Sequence, residues 1–273
     1  MLTKSRLSRR LMLGQSAAGL LAAGLWPGCL AADESGHSVD FHFIAVNDFH
    51  YLDKQCGPWF DHALKQMTGH KEKIDFILLL GDLAENGTQE QLGAVHDILK
   101  SVKLPVHVVV GNHDYLTNTD RKPFERLYPK FINYDFEHKG WQFIGLDTTQ
   151  GLAARNTAIQ PVTLQWLEGR LTKLDKEKPT VVFTHFPLGT LVPGRPKNAE
   201  ALLDRFKEFN LQAVLSGHFH GITTRKSNKT VLTTNACCSF RRQNHDGAKE
   251  KGYLLCHARE GAIERKFVEV KMS

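Results

Sequence analysis

Short apolar runs rich in branched residues alternate with longer amphipathic segments through most of this chain. The runs are short and bounded by glycine and polar residues, which is typical of buried β-strands. The longer segments carry apolar residues at the three- and four-residue spacing of a helix face. The predicted strands are 41–47, 76–80, 106–110, 141–146, 180–183 and 213–215, and the predicted helices are 88–100, 163–174 and 198–209. This alternation predicts parallel strand pairing and an α/β fold.

Beyond residue 221 the pattern changes to short strands without long helices between them. These predicted strands are 222–225, 231–234, 252–257 and 263–270. Strands that follow one another so closely favour antiparallel pairing, so we expect a second, more antiparallel sheet. No linker or internal repeat separates the two halves, and we expect residues 33–273 to form a single domain.

Five short polar blocks follow predicted strands, and their metal-binding side chains offer only oxygen or imidazole nitrogen. In chain order they are Asp48-Phe49-His50, Gly81-Asp82, Gly111-Asn112-His113-Asp114, Thr184-His185 and Gly217-His218-Phe219-His220. We expect the blocks to meet, because ligands gather outside the carboxyl ends of parallel strands. Together they supply enough ligands for two divalent cations, which can activate a water molecule and neutralise charge on a phosphoryl group.

The ordered blocks resemble the motifs of the calcineurin-like metallophosphoesterase superfamily, from about residue 41 to residue 270. Each block alone is weak evidence, since a Gly-Asp pair is ordinary turn chemistry, but the ordered combination is specific. The resemblance implies an α/β fold of two facing mixed β-sheets flanked by helices, a four-layer α/β/β/α sandwich. It also implies an enzyme that hydrolyses phosphodiester or phosphomonoester bonds through a metal-activated hydroxide.

The resemblance further implies which residues bind the metals. One metal would be held by Asp48, His50 and His220 and the other by Asn112, His185 and His218, with Asp82 bridging both. A carboxylate suits the bridging position because it has two oxygens, whereas an imidazole presents one free nitrogen. Oxygen and imidazole ligands without thiolate suit manganese, iron or zinc, so the sequence leaves the metal open.

Two further residues take catalytic roles under the same resemblance. His113 would contact the substrate phosphate and protonate the leaving oxygen. Asp114 would orient the His113 ring and favour its cationic form. No serine or cysteine nucleophile is then required.

The segment from Gly81 to Gly87 and the later run from Lys251 to Leu255 resemble the class III cyclic-nucleotide phosphodiesterase branch. Purple acid phosphatases carry a tyrosine ligand soon after the bridging aspartate, whereas this chain has Ala84, Glu85 and Asn86 there. An envelope phosphomonoesterase or nucleotidase is the main alternative. A nuclease and a catalytically silent binding protein on the same fold are further alternatives.

The first 32 residues predict an export signal of the twin-arginine type. Arg9 and Arg10 precede an apolar stretch at 17–25 that is too short to span a bilayer comfortably. We expect cleavage near Ala32, with lipidation at Cys29 or an uncleaved anchor as alternatives, and a periplasmic or envelope location. The net charge of +6 falls to +2 without this segment, which predicts no extensive nucleic-acid-binding surface.

Two further features are open at this stage. Four cysteines follow Cys29, and a disulfide from Cys56 to Cys237 or Cys238 is the pairing to test, whereas Cys256 lies in an apolar strand pattern typical of an inert buried thiol. The basic run 241–245 either overhangs the site, where arginine would suit a phosphate, or forms a solvated loop.

Overall fold

The computed structural model describes residues 39–272. The strands are β1 (Phe41–Val46), β2 (Ile74–Leu79), β3 (Val106–Val108), β4 (Tyr134–His138), β5 (Trp141–Leu146), β6 (Thr180–Thr184), β7 (Leu211–Ser216), β8 (Thr223–Ser227), β9 (Thr230–Thr234), β10 (Gly252–Arg259) and β11 (Ala262–Glu269). They form one sheet in the order β11-β10-β1-β2-β3 and another in the order β4-β5-β6-β7-β9-β8.

Both sheets contain parallel and antiparallel pairs. In the first sheet β1, β2 and β3 are parallel, whereas β10 and β11 are added antiparallel on the other side of β1. In the second sheet β5, β6, β7 and β9 are parallel, with β4 and β8 antiparallel at the two edges. The expectation of two mixed sheets is therefore confirmed.

The prediction that the strands beyond residue 221 form their own sheet is wrong. β8 and β9 extend the second sheet beside β7, whereas β10 and β11 extend the first sheet beside β1. The β7–β9 pair is parallel, with Ala213 opposite Val231, although the close spacing of the strands had favoured antiparallel pairing. The sheet that each of these strands joins depends on long-range packing. Cys256 of β10 lies opposite Phe43 of β1, and both are buried between the sheets.

Helices cover the outer face of each sheet. They are α1 (Gly57–Thr68), α2 (Gln89–Lys100) and α3 (Lys122–Leu127) on the first sheet, and α4 (Pro161–Leu171) and α5 (Ala199–Leu203) on the second. The inner faces meet through aromatic side chains, with the ring of Phe143 5.6 Å from that of Phe43 and 5.2 Å from that of Phe76. The layers are therefore helix, sheet, sheet and helix, as expected.

The predicted helices are present: α2 agrees with the prediction at both ends to within one residue, whereas the other two differ. α2 begins where predicted because the Thr88 side chain accepts a hydrogen bond from the backbone of Gln91, which caps the helix. α4 begins earlier than predicted, at Pro161, a residue suited to the first turn. The helix predicted at 198–209 is shorter, because α5 passes into a 3₁₀ turn at Asp204–Phe206. We had not predicted α1, α3 or β4.

The predicted export segment at residues 1–32, including Cys29, lies outside the described residues. Within residues 39–272, no helix is both long and apolar enough to cross a bilayer. Cys56, Cys237, Cys238 and Cys256 are buried free thiols, and Cys256 lies within β10 as its apolar surroundings suggested.

Candidate metal centre

Each polar block lies at the carboxyl end of a strand. Asp48, Asp82 and Asn112 follow β1, β2 and β3 of the first sheet. His185 and His218 follow β6 and β7 of the second sheet. The blocks therefore come from both sheets and meet where the carboxyl ends of these strands lie side by side.

Five residues of these blocks adopt the left-handed backbone conformation, which is rare for residues other than glycine. They are Asp48, His50, Asp82, His218 and His220, with φ between 48° and 64°. A residue in such a conformation costs about 1–3 kcal/mol and persists only where the surrounding structure imposes it. Strain of this kind clusters at functional sites, and here it turns the side chains at the strand ends towards one another.

Glycines beside the ligands allow the blocks to pack closely. A Cβ atom on Gly81 would lie 2.6 Å from Nδ1 of His185, a ligand candidate from the other sheet. A Cβ atom on Gly111 would overlap both Oδ1 and the backbone nitrogen of Asp82. These two positions need glycine because another block approaches the backbone so closely that a side chain would not fit. The sharp turn of the chain alone is not the reason.

Asp82 lies between imidazoles from the two sheets. Its Oδ2 is 3.5 Å from Nε2 of His50 and 3.3 Å from Nε2 of His185. Its Oδ1 accepts a hydrogen bond of 2.8 Å from the backbone N–H of His113. One carboxylate thus contacts both groups of candidate ligands, as a bridging ligand must.

The first group of candidate ligands consists of Asp48, His50 and His220, whose potential ligand atoms all lie within 4.8 Å of one another. Nε2 of His220 is 3.2 Å from Oδ1 of Asp48 and 3.2 Å from Nε2 of His50. Oδ1 of Asp48 is buried and accepts no hydrogen bond from the described part of the chain. A buried carboxylate oxygen without a donor suits a cation.

The second group contains Asp82, His185 and His218, also within 4.8 Å of one another. Oδ1 of Asn112 is 3.2 Å from Nε2 of His185, which adds an amide oxygen to this group. A third grouping of His50, Asp82 and His113 overlaps the first two, so His113 lies beside the ligands as well.

The second nitrogen of several histidine rings is fixed by a backbone carbonyl. The contacts are Nδ1 of His185 to Leu80 at 2.8 Å, Nδ1 of His220 to Gln243 at 3.1 Å, and Nε2 of His218 to Ala154 at 2.9 Å. In the neutral form, a ring that donates one N–H in this way has its other nitrogen free to bind a metal, the arrangement found at metal-binding histidines. The residues present therefore fit divalent cations.

Buried carboxylates make this site attract positive charge. Burial opposes charging of His185, but the negative charge of Asp82 outweighs it and raises the pKa of His185 to about 9. Burial is likewise outweighed at His220, where Asp48 raises the pKa to about 11. Burial and the charge of Asp82 raise the pKa of Asp114 to about 7. Cations bound by these ligands would compensate the same carboxylates.

The structure corrects the role expected of Asp114. Its buried carboxylate accepts hydrogen bonds from the backbone N–H groups of Ala84 at 3.0 Å and Gly111 at 2.8 Å. The His113 ring is instead oriented by Glu85, whose backbone carbonyl lies 2.8 Å from Nδ1. Asp114 therefore joins the loops around the site, whereas the His113 ring is held by the carbonyl of Glu85.

Glu85 is a site residue that our sequence analysis missed. Its Oε2 lies 3.2 Å from Nδ1 of His50, and both of its carboxylate oxygens accept hydrogen bonds from Arg242. Burial raises the pKa of Glu85, but its contacts with His50 and Arg242 outweigh burial and lower it to about 2. The one signal in the sequence was an acidic residue three positions after Asp82.

A cavity of about 570 Å³ opens onto these ligands. Its lining includes His50, Asp82, Asn112, His113, Arg155, Phe219, Arg242 and His245. Two larger cavities, of about 620 and 680 Å³, lie elsewhere, so the ligands rather than the volume identify the site. Of the basic run 241–245, Arg242 and His245 line the cavity, whereas Arg241 binds Asp53 at 2.8 Å.

A sequence model of the family described as "Calcineurin-like phosphoesterase" matches residues 41–221, which include all five polar blocks. The chain belongs to this family. Enzymes of the family depend on metals, and the clustered candidate ligands described above lie within the matched range.

Two relatives show the kind of family member that this chain resembles. A protein of Arcobacter nitrofigilis named "Probable glycerophosphodiester phosphodiesterase GpdQ" is 29% identical over 182 residues, covering 61% of this chain and 64% of that protein. The chain thus matches less than two thirds of that relative's length. A "3',5'-cyclic-nucleotide phosphodiesterase" of a Nostoc species is 23% identical, covering 76% of this chain and 79% of that protein.

Among solved structures, the purple acid phosphatase PPD1 from yellow lupin seeds superposes with a TM-score of 0.64. The two chains are 14% identical, and the match covers 88% of this chain and 53% of the phosphatase. At this identity the likeness concerns the fold, the two-sheet sandwich flanked by helices.

We expect Gly111→Ala to displace Asp82 and to lower the content of bound metal severely, because the added Cβ overlaps Asp82. Gly93→Ala in α2 is the matched control, since its Cβ would meet no heavy atom within 4 Å. That control should stabilise the helix by about 0.5–1 kcal/mol. Metal analysis and thermal unfolding of both variants test this, and full metal content in Gly111→Ala would contradict the close packing.

Proposed function

We propose that this protein is a phosphodiesterase that uses two divalent metal ions. The observation that carries the proposal is the position of Asp82, whose Oδ2 lies 3.5 Å from His50 and 3.3 Å from His185. Asp48, His50 and His220 would hold one ion, and Asn112, His185 and His218 the other. A carboxylate between two ligand groups suits a pair of ions rather than one.

The preference for diesters rests on the relatives. The names of those described above specify glycerophosphodiesters and cyclic nucleotides, both of which contain a phosphodiester bond. A monoesterase or nucleotidase is the alternative, because the same metals and ligands would serve either reaction. We infer a small soluble phosphoester as the substrate, since a cavity of about 570 Å³ admits one.

His113 is the proposed proton donor to the leaving oxygen. Its Nδ1–H is held by the carbonyl of Glu85 at 2.8 Å, so in the cationic ring Nε2–H is the group left to give a proton. The ring is part-buried and lines the cavity, where a substrate can reach it. The backbone N–H of His113 also donates to Asp82, which holds this proton donor beside the metal ligands.

When bound, the metals would activate a water molecule and neutralise charge on the phosphoryl group. The ligand chemistry suits manganese, iron or zinc alike. Asp48 and His185 are inaccessible to solvent, whereas His218 is part-buried and lines the cavity.

We further propose export by the twin-arginine route to the periplasm or envelope. The support is the sequence of residues 1–32 alone: paired arginines, a short apolar stretch and small residues near Ala32. That route carries folded proteins, which suits an enzyme that takes up its metals before export.

We expect the purified protein with added manganese to hydrolyse a chromogenic phosphodiester faster than the matching monoester. Asn112→Ala removes an oxygen ligand and should lower turnover more than about 100-fold together with metal content. Rates with both substrates and metal analysis test this. A higher rate with the monoester would favour the alternative, and bound metal without hydrolysis of either substrate would contradict the proposed function.

His113→Ala should keep both metals and lose activity in proportion to the difficulty of the leaving group. The loss should reach about 100- to 10,000-fold for an alkyl leaving group, because general acid catalysis is worth that much. A nitrophenolate leaves without a proton and should be affected least. Equal losses across a series of leaving groups would rule out the role of proton donor.

Replacing the arginine pair by Arg9→Lys and Arg10→Lys should leave the protein in the cytoplasm, because the export machinery reads the arginines rather than their charge. Fractionation of cells that carry either form tests this, and changing Arg6→Lys alone is the control. Unchanged export of the double variant would exclude the twin-arginine route.

A further inference from the structure

A carboxylate and a guanidinium from loops far apart in sequence form a pair beside the metal ligands. Nε of Arg242 donates to Oε2 of Glu85 at 3.0 Å, and Nη2 donates to Oε1. This is the two-point geometry that orients a guanidinium in its own plane. The Glu85 side chain is only 19% exposed, so the pair lies partly inside the protein.

Arg242 retains hydrogen-bonding capacity that the pair does not use. A guanidinium has five N–H donors, and Glu85 takes one from Nε and one from Nη2. Within residues 39–272, Nη1 of Arg242 makes no hydrogen bond to protein. The side chain is 40% exposed and lines the cavity together with His50, Asn112 and His113.

The loop that carries Arg242 is held firmly in place. The buried hydroxyl of Ser239 accepts a hydrogen bond from the backbone N–H of Arg242 at 3.0 Å. The neighbouring Gln243 carbonyl accepts from His220, and the ring of His245 stacks on that of His220 at 4.5 Å. Arg242 is thus held both at its backbone and at its guanidinium, so less conformational entropy is lost when it binds a ligand.

We propose that Arg242, positioned by Glu85, is an anion-binding subsite that contacts a charged oxygen of the substrate and helps to choose between phosphoesters. This inference rests on the proposed function, since it places the subsite beside the phosphoryl group to be hydrolysed. A phosphomonoester carries a second negative charge and inorganic phosphate resembles its head group, so both depend on Arg242 more than a diester does.

Arg241 provides a matched control one residue away. It also binds a carboxylate, with one Nη2 contact of 2.8 Å to Asp53 and another of 2.8 Å to Gln55. It does not belong to the residues that line the cavity in the described part of the chain. Arg241→Gln therefore removes the same charge from the same loop without touching the subsite.

The test uses the metal-loaded full-length protein and inorganic phosphate as the probe. We expect Arg242→Gln to weaken phosphate binding, measured by calorimetry, by about 10- to 100-fold, the range for lost hydrogen bonds to a charged group. KM for the monoester should rise more than KM for the diester. Arg241→Gln should stay within about twofold of the wild type in each measurement, and both variants should keep their metals.

Glu85→Gln tests the positioning role through a double-mutant cycle. It should weaken phosphate binding while Arg242 is present and add little in the Glu85→Gln, Arg242→Gln double variant. If the losses of phosphate affinity in the two single variants simply add in the double variant, the positioning role is overturned. If Arg242→Gln and Arg241→Gln weaken phosphate binding equally, the subsite is overturned. If the wild type binds metal yet hydrolyses neither ester, the proposed function fails, whereas phosphate binding still decides the subsite.

Discussion

Charge compensation around one buried carboxylate is the constraint on which this site depends. Asp82 is 1% exposed, and an ionised carboxylate in such surroundings is costly unless donors or cations surround it. His50 of one sheet and His185 of the other approach the same oxygen, while the His113 backbone binds the second oxygen. The compensation holds only while both sheets keep their relative position, so the packing of the aromatic layer between them and the chemistry of the site are linked.

The strained backbone of the site is explained by the same requirement. Asp48 and His218 both adopt left-handed φ values, and the backbone N–H of His218 donates to Oδ2 of Asp48 at 3.0 Å. Between them Gly217 lies so close to Asp48 that a Cβ would be 2.7 Å from Oδ2. Strained residues and a glycine thus bring a carboxylate of one sheet against the backbone of the other. The cost in conformational energy is offset by the polar contacts that these conformations allow, such as the hydrogen bond from His218 to Asp48.

The parts of the fold that could be predicted are those that local sequence determines. Strand and helix positions follow from periodicity, and the start of α2 follows from the capping side chain of Thr88. The division of the last four strands between two sheets could not be predicted. Whether β10 joins β1 or β9 depends on which apolar face it completes, as with Cys256 opposite Phe43, and that is a contact between distant segments.

The same distinction applies to the candidate site, where local sequence predicts some residues and only the fold brings in the others. The metal-ligand candidates could be predicted because each block stands at a strand end, where topology brings it to a common edge. The partner of His113 could not, since Glu85 acts through its backbone carbonyl, which any residue possesses. Arg242 lies 157 residues from Glu85, and no local spacing relates them. The candidate metal ligands therefore come from short local motifs that sequence reveals. The Glu85–Arg242 pair beside them comes from loops that meet only in the folded chain, so local sequence does not reveal it.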